Sequence, residues 1–459
     1  MRDRPVALVV AAALAAAVGG LLAMQVGRPA AGSAERPHAE RRRAALINVD
    51  SPAGESVGPA ASTPETTGGW PNLYGPARNS ISPETGLATE WGLEGPPELW
   101  RVSIGTGYSA PIVVGGRVIV FHRQGDEEIV ECFAAESGES GWRHHSPTAY
   151  RCELPPYSSG PYSTPASDGR YVYALGAEGL LHCLRLDDGD VVWLRNLSDE
   201  YQVPEHLFAV GHSPLLLDGR LILNVGGTVS ETGVLALDSS TGQTLWGATD
   251  HGASYSTPAA AVIHGQPYVF VLTDQGLVAL DPRDGRVFWT IEFAADHREA
   301  PSAVMPLVHG DLVLATVYQV GTLCLRVLPD GRYKELWRQR RNLESQFNPL
   351  IGIDGYVYGW HFSDKSLRCI ELETGQLQWR YKSAISRGTH IAVDGRLVLF
   401  GEHGELGSVD INPHKLVKVS LTAGPRLDSP CYSAPALSNG LLYLRNERSL
   451  ACFSLRPGG

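Results

Sequence analysis

The stretch Ala236-Leu-Asp-Ser-Ser-Thr-Gly-Gln-Thr-Leu-Trp246 contains the pattern that decides the fold. It predicts a short strand, a tight turn at Thr241-Gly242, and a second strand that ends on a large aromatic side chain. Gly242 supplies the positive φ angle that such a turn requires. The stretch is therefore the sequence of a β-hairpin that carries a tryptophan at a fixed distance from its turn.

This hairpin recurs along the chain with the same order of a small residue, a Gly turn and a tryptophan. The further copies span residues 132–142, 183–193, 279–289, 324–337 and 369–379. The copy at 324–337 is looser, because its hairpin is longer. The small-residue position is often a cysteine, which indicates a small buried side chain. A disulfide between Cys152 and Cys431, which lie outside this pattern, stays an open alternative to two free thiols.

A second element precedes each hairpin and consists of a Ser/Pro cluster, a β-branched run, a turn and another β-branched run. In the second copy, Tyr162-Ser-Thr-Pro165 leads to a turn at Asp168-Gly169. Equivalent turns lie at 115–116, 218–219, 264–265, 309–310, 354–355, 394–395 and 439–440. A period of about 40–50 residues with four short strands per unit is typical of a β-propeller blade. The eight copies therefore predict an all-β, eight-bladed propeller of four-stranded antiparallel blades.

The expected blades span about 105–142, 158–193, 211–246, 253–289, 302–337, 346–379, 388–420 and 431–455. The seventh lacks the tryptophan and is degenerate, with 417–419 as its outermost run. The eighth stops one strand short, whereas residues 98–104 form a strand without a hairpin partner. We predict that 98–104 completes the last blade, because a closed ring leaves no bare strand edge. The propeller would then cover residues 98–459.

The N-terminal region differs in composition from the rest. Residues 6–24 form an apolar run of about 19 residues after two arginines, long enough for one membrane span. We predict a transmembrane anchor or signal segment over 1–24, a disordered linker over 25–69, and an irregular lead-in over 70–97. The arginines after the apolar run oppose an extracytoplasmic body by the positive-inside rule. The basic start before the run nevertheless favours export, with the propeller on the periplasmic side.

Charge and motifs exclude several classes of function. The chain has a formal net charge of −11 and no basic stripe, which argues against a nucleic-acid partner. No CxxC, CxxCH or HExxH motif occurs, so haem and common zinc sites have no support in the sequence. No catalytic residue, metal ligand or cofactor-binding residue is predicted.

The tryptophans at the fixed hairpin position are expected to lie flat against the next blade. Each ring buries roughly 150–250 Å² and so stabilises the ring of blades. We assign this docking role to Trp100, Trp142, Trp193, Trp246, Trp289, Trp337 and Trp379. Trp70 and Tyr74, in the lead-in, are expected to pack on the propeller.

A second set of residues comes just before the innermost strands, at one end of the channel. Seven of the eight copies place an aromatic residue or a histidine there: Tyr108, Tyr162, His212, Tyr255, Phe347, His390 and Tyr432. One interpretation is a binding rim for a peptide, a glycan or a planar ligand. The other is that these rings plug the channel mouth and pack against each other.

The hairpins resemble the tryptophan-docking repeat of the pyrroloquinoline-quinone (PQQ)-like β-propellers, Ala-x-Asp-x-x-Thr-Gly-x-x-x-Trp. Residues 236–246 and 279–289 match this repeat nearly residue for residue, and the resemblance covers about 100–455. One branch of the family consists of quinoprotein alcohol dehydrogenases with PQQ and calcium in the channel. The other is the non-catalytic B-subunit (BamB-like) scaffold of the outer-membrane assembly machinery. The compact blades, and the lack of an adjacent Cys-Cys pair, are similar to the second branch.

The resemblance implies a non-catalytic propeller that binds a protein partner in the bacterial cell envelope, with no cofactor. The alternative is a PQQ-dependent oxidoreductase, with the quinone and calcium in the propeller channel. A third reading is a lectin-like or small-molecule binder that uses the aromatic rim.

Overall fold

The structure is a computed structural model, and it describes residues 69–154, 157–205, 208–295, 303–382 and 385–458. The predicted anchor, and the predicted linker except for Gly69, lie outside these residues. The described part forms eight four-stranded antiparallel sheets. The prediction of an eight-bladed all-β propeller is confirmed. Within the described ranges, no helix is both long enough and apolar enough to cross a membrane.

The strands of the first half of the chain alternate with short turns. They are β1 (Glu98–Ser103), β2 (Ile112–Val114), β3 (Arg117–Gln124), β4 (Glu127–Ala134), β5 (Ser140–Pro147), β6 (Ala166–Ser167), β7 (Tyr171–Leu175), β8 (Leu180–Arg185), β9 (Val191–Asn196), β10 (Leu215–Leu217), β11 (Arg220–Leu223), β12 (Val234–Asp238), β13 (Thr244–Ala248), β14 (Ala259–Ile263), β15 (Gln266–Leu272) and β16 (Gly276–Leu280). A five-residue helix, α1 (Leu197–Tyr201), follows β9.

The second half continues the same alternation. Its strands are β17 (Val287–Glu292), β18 (Leu307–His309), β19 (Leu312–Val317), β20 (Gly321–Val327), β21 (Tyr333–Gln339), β22 (Ile351–Ile353), β23 (Tyr356–His361), β24 (Ser366–Glu371), β25 (Leu377–Tyr381), β26 (Gly388–Val393), β27 (Arg396–Gly401), β28 (Leu406–Asp410), β29 (Ser420–Leu421), β30 (Ala436–Ser438), β31 (Leu441–Arg445) and β32 (Ser449–Ser454).

Seven blades are consecutive sets of four strands, from β2–β5 (blade 1) to β26–β29 (blade 7). Blade 8 combines β30–β32 with β1, which lies antiparallel to β32 with Trp100 opposite Cys452. Blade 7 differs from the sequence-based expectation in its outermost strand. That strand is Ser420–Leu421 and not the run at 417–419.

Burial explains why the middle strands are almost continuously apolar. All five residues of β16 are buried, whereas β17, at the outer edge of the same blade, alternates between covered and exposed side chains. A strand covered by neighbouring blades on both faces needs apolar residues at every position, and an outer strand needs them only on one face.

Each complete hairpin places its tryptophan through a β-bulge in the outermost strand. In blade 3, Ala236 lies opposite Trp246, and the register shifts at the next pair. The same shift occurs between Ala279 and Leu280 in blade 4. Because a bulge bends and twists its strand, it re-aims the side chain beside it. The indole faces a small residue, which explains the cysteines opposite Trp193, Trp337, Trp379 and Trp100. All seven cysteines of the chain are free thiols, including Cys152 and Cys431, which lie outside this position.

The indoles lie against the hairpin turns of the following blade. Six of the seven donate their N–H to a backbone carbonyl there. The pairs are Trp100–Ala135 (3.0 Å), Trp142–Leu186 (2.9 Å), Trp193–Ser239 (3.1 Å), Trp246–Pro282 (3.1 Å), Trp337–Leu372 (3.0 Å) and Trp379–Asn412 (2.8 Å). The ring also lies flat on the turn glycine: a methyl group on Gly285 would be 2.5 Å from the Trp246 ring.

The junction between blades 7 and 8 has no such tryptophan, and the lead-in occupies it instead. We call residues 81–95 the strap. The Glu84 carboxylate accepts hydrogen bonds from the backbone N–H groups of Asn439 and Gly440 in blade 8. The Leu87 N–H donates to Asp394 in blade 7 at 2.8 Å. The strap therefore bridges two blades that lack an indole between them.

We expect the substitution Trp246→Ala to lower the free energy of unfolding by about 3–5 kcal/mol, because it leaves a cavity between blades 3 and 4. Denaturant unfolding measures this difference. Gly285→Ala should also destabilise, because the added methyl group collides with the same ring.

The matched control is Gly265→Ala in the same blade. Gly265 also has a positive φ, of 80° against 75° for Gly285, but nothing lies within 4 Å of its added methyl group. Both variants place an alanine at a positive φ and therefore have the same backbone strain. The additional loss of unfolding free energy in Gly285→Ala, about 1–3 kcal/mol, then measures the collision with the indole. Equal losses in the two glycine variants would contradict the docking role of Trp246.

Candidate functional site at the channel mouth

Five of the seven predicted rim residues lie in one continuous arc of rings. Tyr108 stacks on Tyr162 with ring centroids 4.9 Å apart, and it meets Tyr432 edge-on at 5.2 Å. Phe347 extends the arc from Tyr432 at 5.5 Å. Tyr255 joins the other end through a phenylalanine outside the predicted set. All five rings are half-buried, so each keeps exposed surface.

The sequence pattern missed residues that link and extend this arc. Phe208 contacts Tyr162, Tyr255 and also Tyr157, which is 47% exposed. Tyr318 and Phe362 form a further ring pair, 4.5 Å apart, in the turns of blades 5 and 6. Tyr157 and Phe208 lie in the loops before blades 2 and 3, at different distances from the innermost strands that follow, so the repeat gives no signal for them. Tyr318 and Phe362 each follow directly after the second strand of their blade, whereas the predicted rim includes only residues before the innermost strands.

The two histidines of the predicted rim lie outside the arc. His390 is fully buried within β26, and its Nε2 lies 3.4 Å from the Tyr358 carbonyl oxygen. Burial lowers the pKa of His390 to about 4, so it is neutral. Blade 7 has no Ser/Pro cluster at this place, and its inner strand starts earlier, which moves residue 390 into the strand. His212 is buried beside Gly211, which the ring of Tyr255 covers.

The hydroxyl groups of the arc fasten the surrounding loops. Tyr108 Oη accepts from the Ser158 N–H at 2.9 Å, and Tyr162 Oη donates to the Ser158 carbonyl at 2.5 Å. Tyr255 Oη accepts from the Phe208 N–H at 3.3 Å, and burial raises its pKa to about 12. The tyrosines are therefore neutral and held in place, with little side-chain entropy left to lose on binding.

A fixed ion pair stands beside the arc. The Arg387 guanidinium lies over the rings of Phe347 and Phe362 at 5.5 and 5.2 Å, and pairs with Glu402 at 2.7 Å. Burial raises the pKa of Glu402, but hydrogen bonds from Ser386 and Arg387 and the positive charge of Arg387 outweigh it and lower the pKa to about 2. The pair thus keeps its charges at physiological pH.

The lead-in crosses the channel below this face. Tyr74 packs with Ala110 of the loop before blade 1 and Ala434 of the loop before blade 8, and Leu73 and Met305 join the same cluster. Trp70 exchanges backbone hydrogen bonds with Val113 of β2. The predicted packing of Trp70 and Tyr74 is confirmed, with exposures of 2% and 7%.

This crossing bears on the quinone alternative. Leu73 and Tyr74 pack among loop residues of blades 1, 5 and 8, and the calcium of that alternative would need oxygen ligands such as carboxylates. Across the described ranges, no group of three or more His, Cys, Asp or Glu side chains is placed to hold a metal ion. The described residues therefore present no such ligand group for the cation of the quinone alternative.

One buried carboxyl group links blades 1 and 2 on the same face. Glu128 is 3% exposed, and its Oε1 accepts from the Ala177 N–H at 2.9 Å. Burial and, to a smaller extent, the charge of Glu178 raise the pKa of Glu128 to about 7, against the hydrogen bond from Ala177. A folded-state pKa above the unfolded value means that the protonated form favours folding.

The stability that Glu128 contributes should therefore be complete below pH 4.5 and be lost as the pH rises through 7. Glu128→Gln keeps a carbonyl oxygen for the Ala177 N–H and cannot ionise. We expect the variant to equal the wild type at pH 4.5 and to exceed its unfolding free energy at pH 8 by up to about 3 kcal/mol. Denaturant unfolding at pH 4.5, 6 and 8 measures the difference.

Glu139→Gln is the control, because Glu139 lies exposed in the same blade; it should change the free energy of unfolding by less than about 0.5 kcal/mol at each pH. A difference between Glu128→Gln and wild type that is the same at all three pH values would contradict this account.

Comparison with known proteins supplies the family. The sequence model of the family described as "Outer membrane protein assembly factor BamB" matches residues 126–381, more than half of the chain. The chain belongs to this family. The BamB of Yersinia pestis is 25% identical over 268 residues, which span 53% of this chain and 62% of that protein. The matched region therefore covers less than two thirds of that relative.

Solved structures agree in fold. BamB from Moraxella catarrhalis matches with a TM-score of 0.57 at 16% identity, covering 78% of this chain and 99% of that one. Quinohemoprotein alcohol dehydrogenase from Comamonas testosteroni matches with a TM-score of 0.59 at 14% identity, covering 84% and 80%. At these identities the likeness shows the propeller fold alone, and it favours neither a scaffold nor an oxidoreductase.

Proposed function

We propose that this chain is a non-catalytic scaffold of the bacterial cell envelope that holds a protein partner on the aromatic arc. Membership in the BamB family supports a role in outer-membrane protein assembly. The observation that carries the proposal is the arc itself, from Tyr255 through Tyr162, Tyr108 and Tyr432 to Phe347. It is a preformed, half-exposed aromatic surface on a rigid ring of blades.

The chemistry of the arc suits protein recognition. Tyrosine and arginine are enriched among the residues that dominate binding energy at protein interfaces. The rings of Tyr108 and Tyr162 are already fixed by Ser158, and Arg387 is fixed by Glu402. Binding would then cost little side-chain ordering, and affinity would come from desolvating the exposed ring faces.

Under this proposal the propeller lies on the periplasmic side, and residues 6–24 tether it to the membrane. The length and hydrophobicity of that run support a tether, and the linker over 25–69 would give the propeller reach. No nucleic acid and no cofactor is involved.

The oxidoreductase alternative requires PQQ and calcium in a channel that Leu73 and Tyr74 cross. A visible spectrum of bound PQQ in the purified protein with calcium, together with turnover in a dye-linked alcohol assay, would overturn the scaffold. The lectin-like alternative would need a glycan that binds the wild type and loses affinity in Tyr162→Ala.

Site-specific photo-crosslinking in intact cells tests the scaffold directly. A photoreactive amino acid replaces Tyr157, which is 47% exposed beside Phe208, and a matched probe replaces Leu245, which is 49% exposed on an outer strand. We expect the probe at 157 to give a crosslink to an outer-membrane assembly protein, identified by mass spectrometry, and the probe at 245 to give none.

Crosslinks with the same partners and yields at both positions would contradict binding at the arc. A partner at 157 that belongs outside the cell envelope would contradict the proposed function. The double variant Tyr157→Ala/Phe347→Ala is expected to reduce co-purification of the partner at least about tenfold, as loss of two interface aromatics does.

A further inference from the structure

Trp289 is the exception among the seven tryptophans at the hairpin position. Its Nε1 is buried and has no hydrogen-bond partner in the described part of the chain. The six others donate to a carbonyl of the next blade. Beside Trp289, between blades 4 and 5, lies a cavity of about 600 Å³. We call this cavity the 4/5 slot; its walls include His264, Tyr268, Phe288, Trp289 and Tyr333.

The hairpin of blade 5 explains both the cavity and the unused N–H. In five other blades, the N–H of the turn glycine donates to the carbonyl four residues earlier, as Gly285 does to Asp281 at 2.9 Å. In that turn the carbonyl three residues before the glycine remains free to accept the indole N–H, as the Pro282 carbonyl accepts the N–H of Trp246. In blade 5, the carbonyl three residues before the glycine, that of Leu328, accepts from Gly331 itself at 2.9 Å. The carbonyl of Val327, which corresponds to Pro282 by strand register, lies 3.1 Å from Nε2 of His264.

The longer hairpin also moves the turn away from the ring. A methyl group placed on Gly285 would be 2.5 Å from Trp246, whereas one on Gly331 would meet only the Tyr268 hydroxyl, at 3.5 Å. The space that a glycine turn fills at five other junctions is therefore empty at Trp289. Tyr333 lies along one side of the indole, with ring centroids 4.9 Å apart, and is 38% exposed. Rotation of this ring would uncover the N–H.

We propose that the 4/5 slot binds a glycine-containing β-turn of a partner protein. The sister junctions specify the occupant, since the same side chain holds a glycine-containing turn at five of them. The glycine would lie flat on the Trp289 ring, and a carbonyl three residues before it would accept the unused N–H. The slot is lined by Arg286, Arg332 and Asp330; Arg332 pairs with Asp330 at 2.6 Å and Arg286 lies 3.7 Å from Asp281, so the occupant is specified by its turn and not by its charge.

This surface is separate from the aromatic arc. Because strand direction alternates within a blade, the turn between the third and fourth strands lies at the end opposite to the start of the first strand. The slot therefore opens on the face away from the arc, and the chain would contact partners at both faces. Neither proposal depends on the other.

The probe is a synthetic hairpin with the sequence of residues 234–248, closed by a disulfide between added terminal cysteines. It presents the turn around Gly242 that the chain itself docks on Trp193. The full-length protein, labelled with ¹⁵N at tryptophan, is titrated with unlabelled peptide. We expect one indole N–H resonance to shift and saturate, and we expect Trp289→Phe to remove that resonance.

In calorimetry, Trp289→Phe should weaken binding about five- to tenfold, because it keeps a packed ring and removes one donor. Trp246→Phe is the matched control and should leave the affinity unchanged, since the Trp246 N–H is already bonded to Pro282. A peptide with valine in place of the glycine should not bind the wild type. This comparison of the two peptides uses only the wild-type protein, so it tests the proposal even if a tryptophan variant fails to fold.

Three results would overturn the proposal. The first is the absence of any indole shift at about 1 mM peptide, a weak limit for specific binding. The second is equal affinity of the peptide for Trp289→Phe and wild type, and the third is the same shift with acetate or free glycine, which would make the slot a small-anion site. Loss of peptide binding leaves the crosslink at Tyr157 unaffected, so the two proposals fail separately.

Discussion

The ring of blades depends on one repeated contact, in which an indole of one blade lies on the glycine turn of the next and donates its N–H to that turn. The contact combines burial of a large apolar ring with a satisfied hydrogen bond, at a position where any side chain on the turn would collide with the ring. Five junctions use the full contact, and at a sixth Trp379 donates to Asn412 in a turn that has no glycine. Burial of a polar N–H is favourable only when it finds an acceptor, which explains why the turn geometry repeats so closely.

The two exceptional junctions show how the chain adapts the contact. Between blades 7 and 8 the tryptophan is missing, and the strap supplies hydrogen bonds to both blades through Glu84 and Leu87. Between blades 4 and 5 the tryptophan is present, but the longer hairpin withdraws the acceptor. The first exception closes a gap in the ring. The second leaves a shaped cavity at its edge, and this is the origin of the proposed turn-binding slot.

Most of the fold could be predicted from the sequence because the repeat carries its own physical reasons. The Gly turns, the small residue opposite the indole and the alternating outer strands each correspond to a local constraint. The candidate site was only partly predictable. Five ring positions followed from their place before the inner strands, whereas Phe208 lies in a loop between blades and Phe362 follows a second strand, at positions that the predicted rim does not include. His390 was misplaced because blade 7 begins its inner strand earlier, and only the strand pairing reveals that shift.

The most direct test of the central claim is hydrogen exchange at the indole N–H groups, followed by NMR of the ¹⁵N-tryptophan-labelled protein. If docking holds the ring, the six bonded indoles should exchange only through opening of a blade junction, with protection well above that of a free indole. Trp289, which lacks an acceptor, should exchange faster than these six. Exchange of the six bonded indoles at the rate of a free indole would contradict the account.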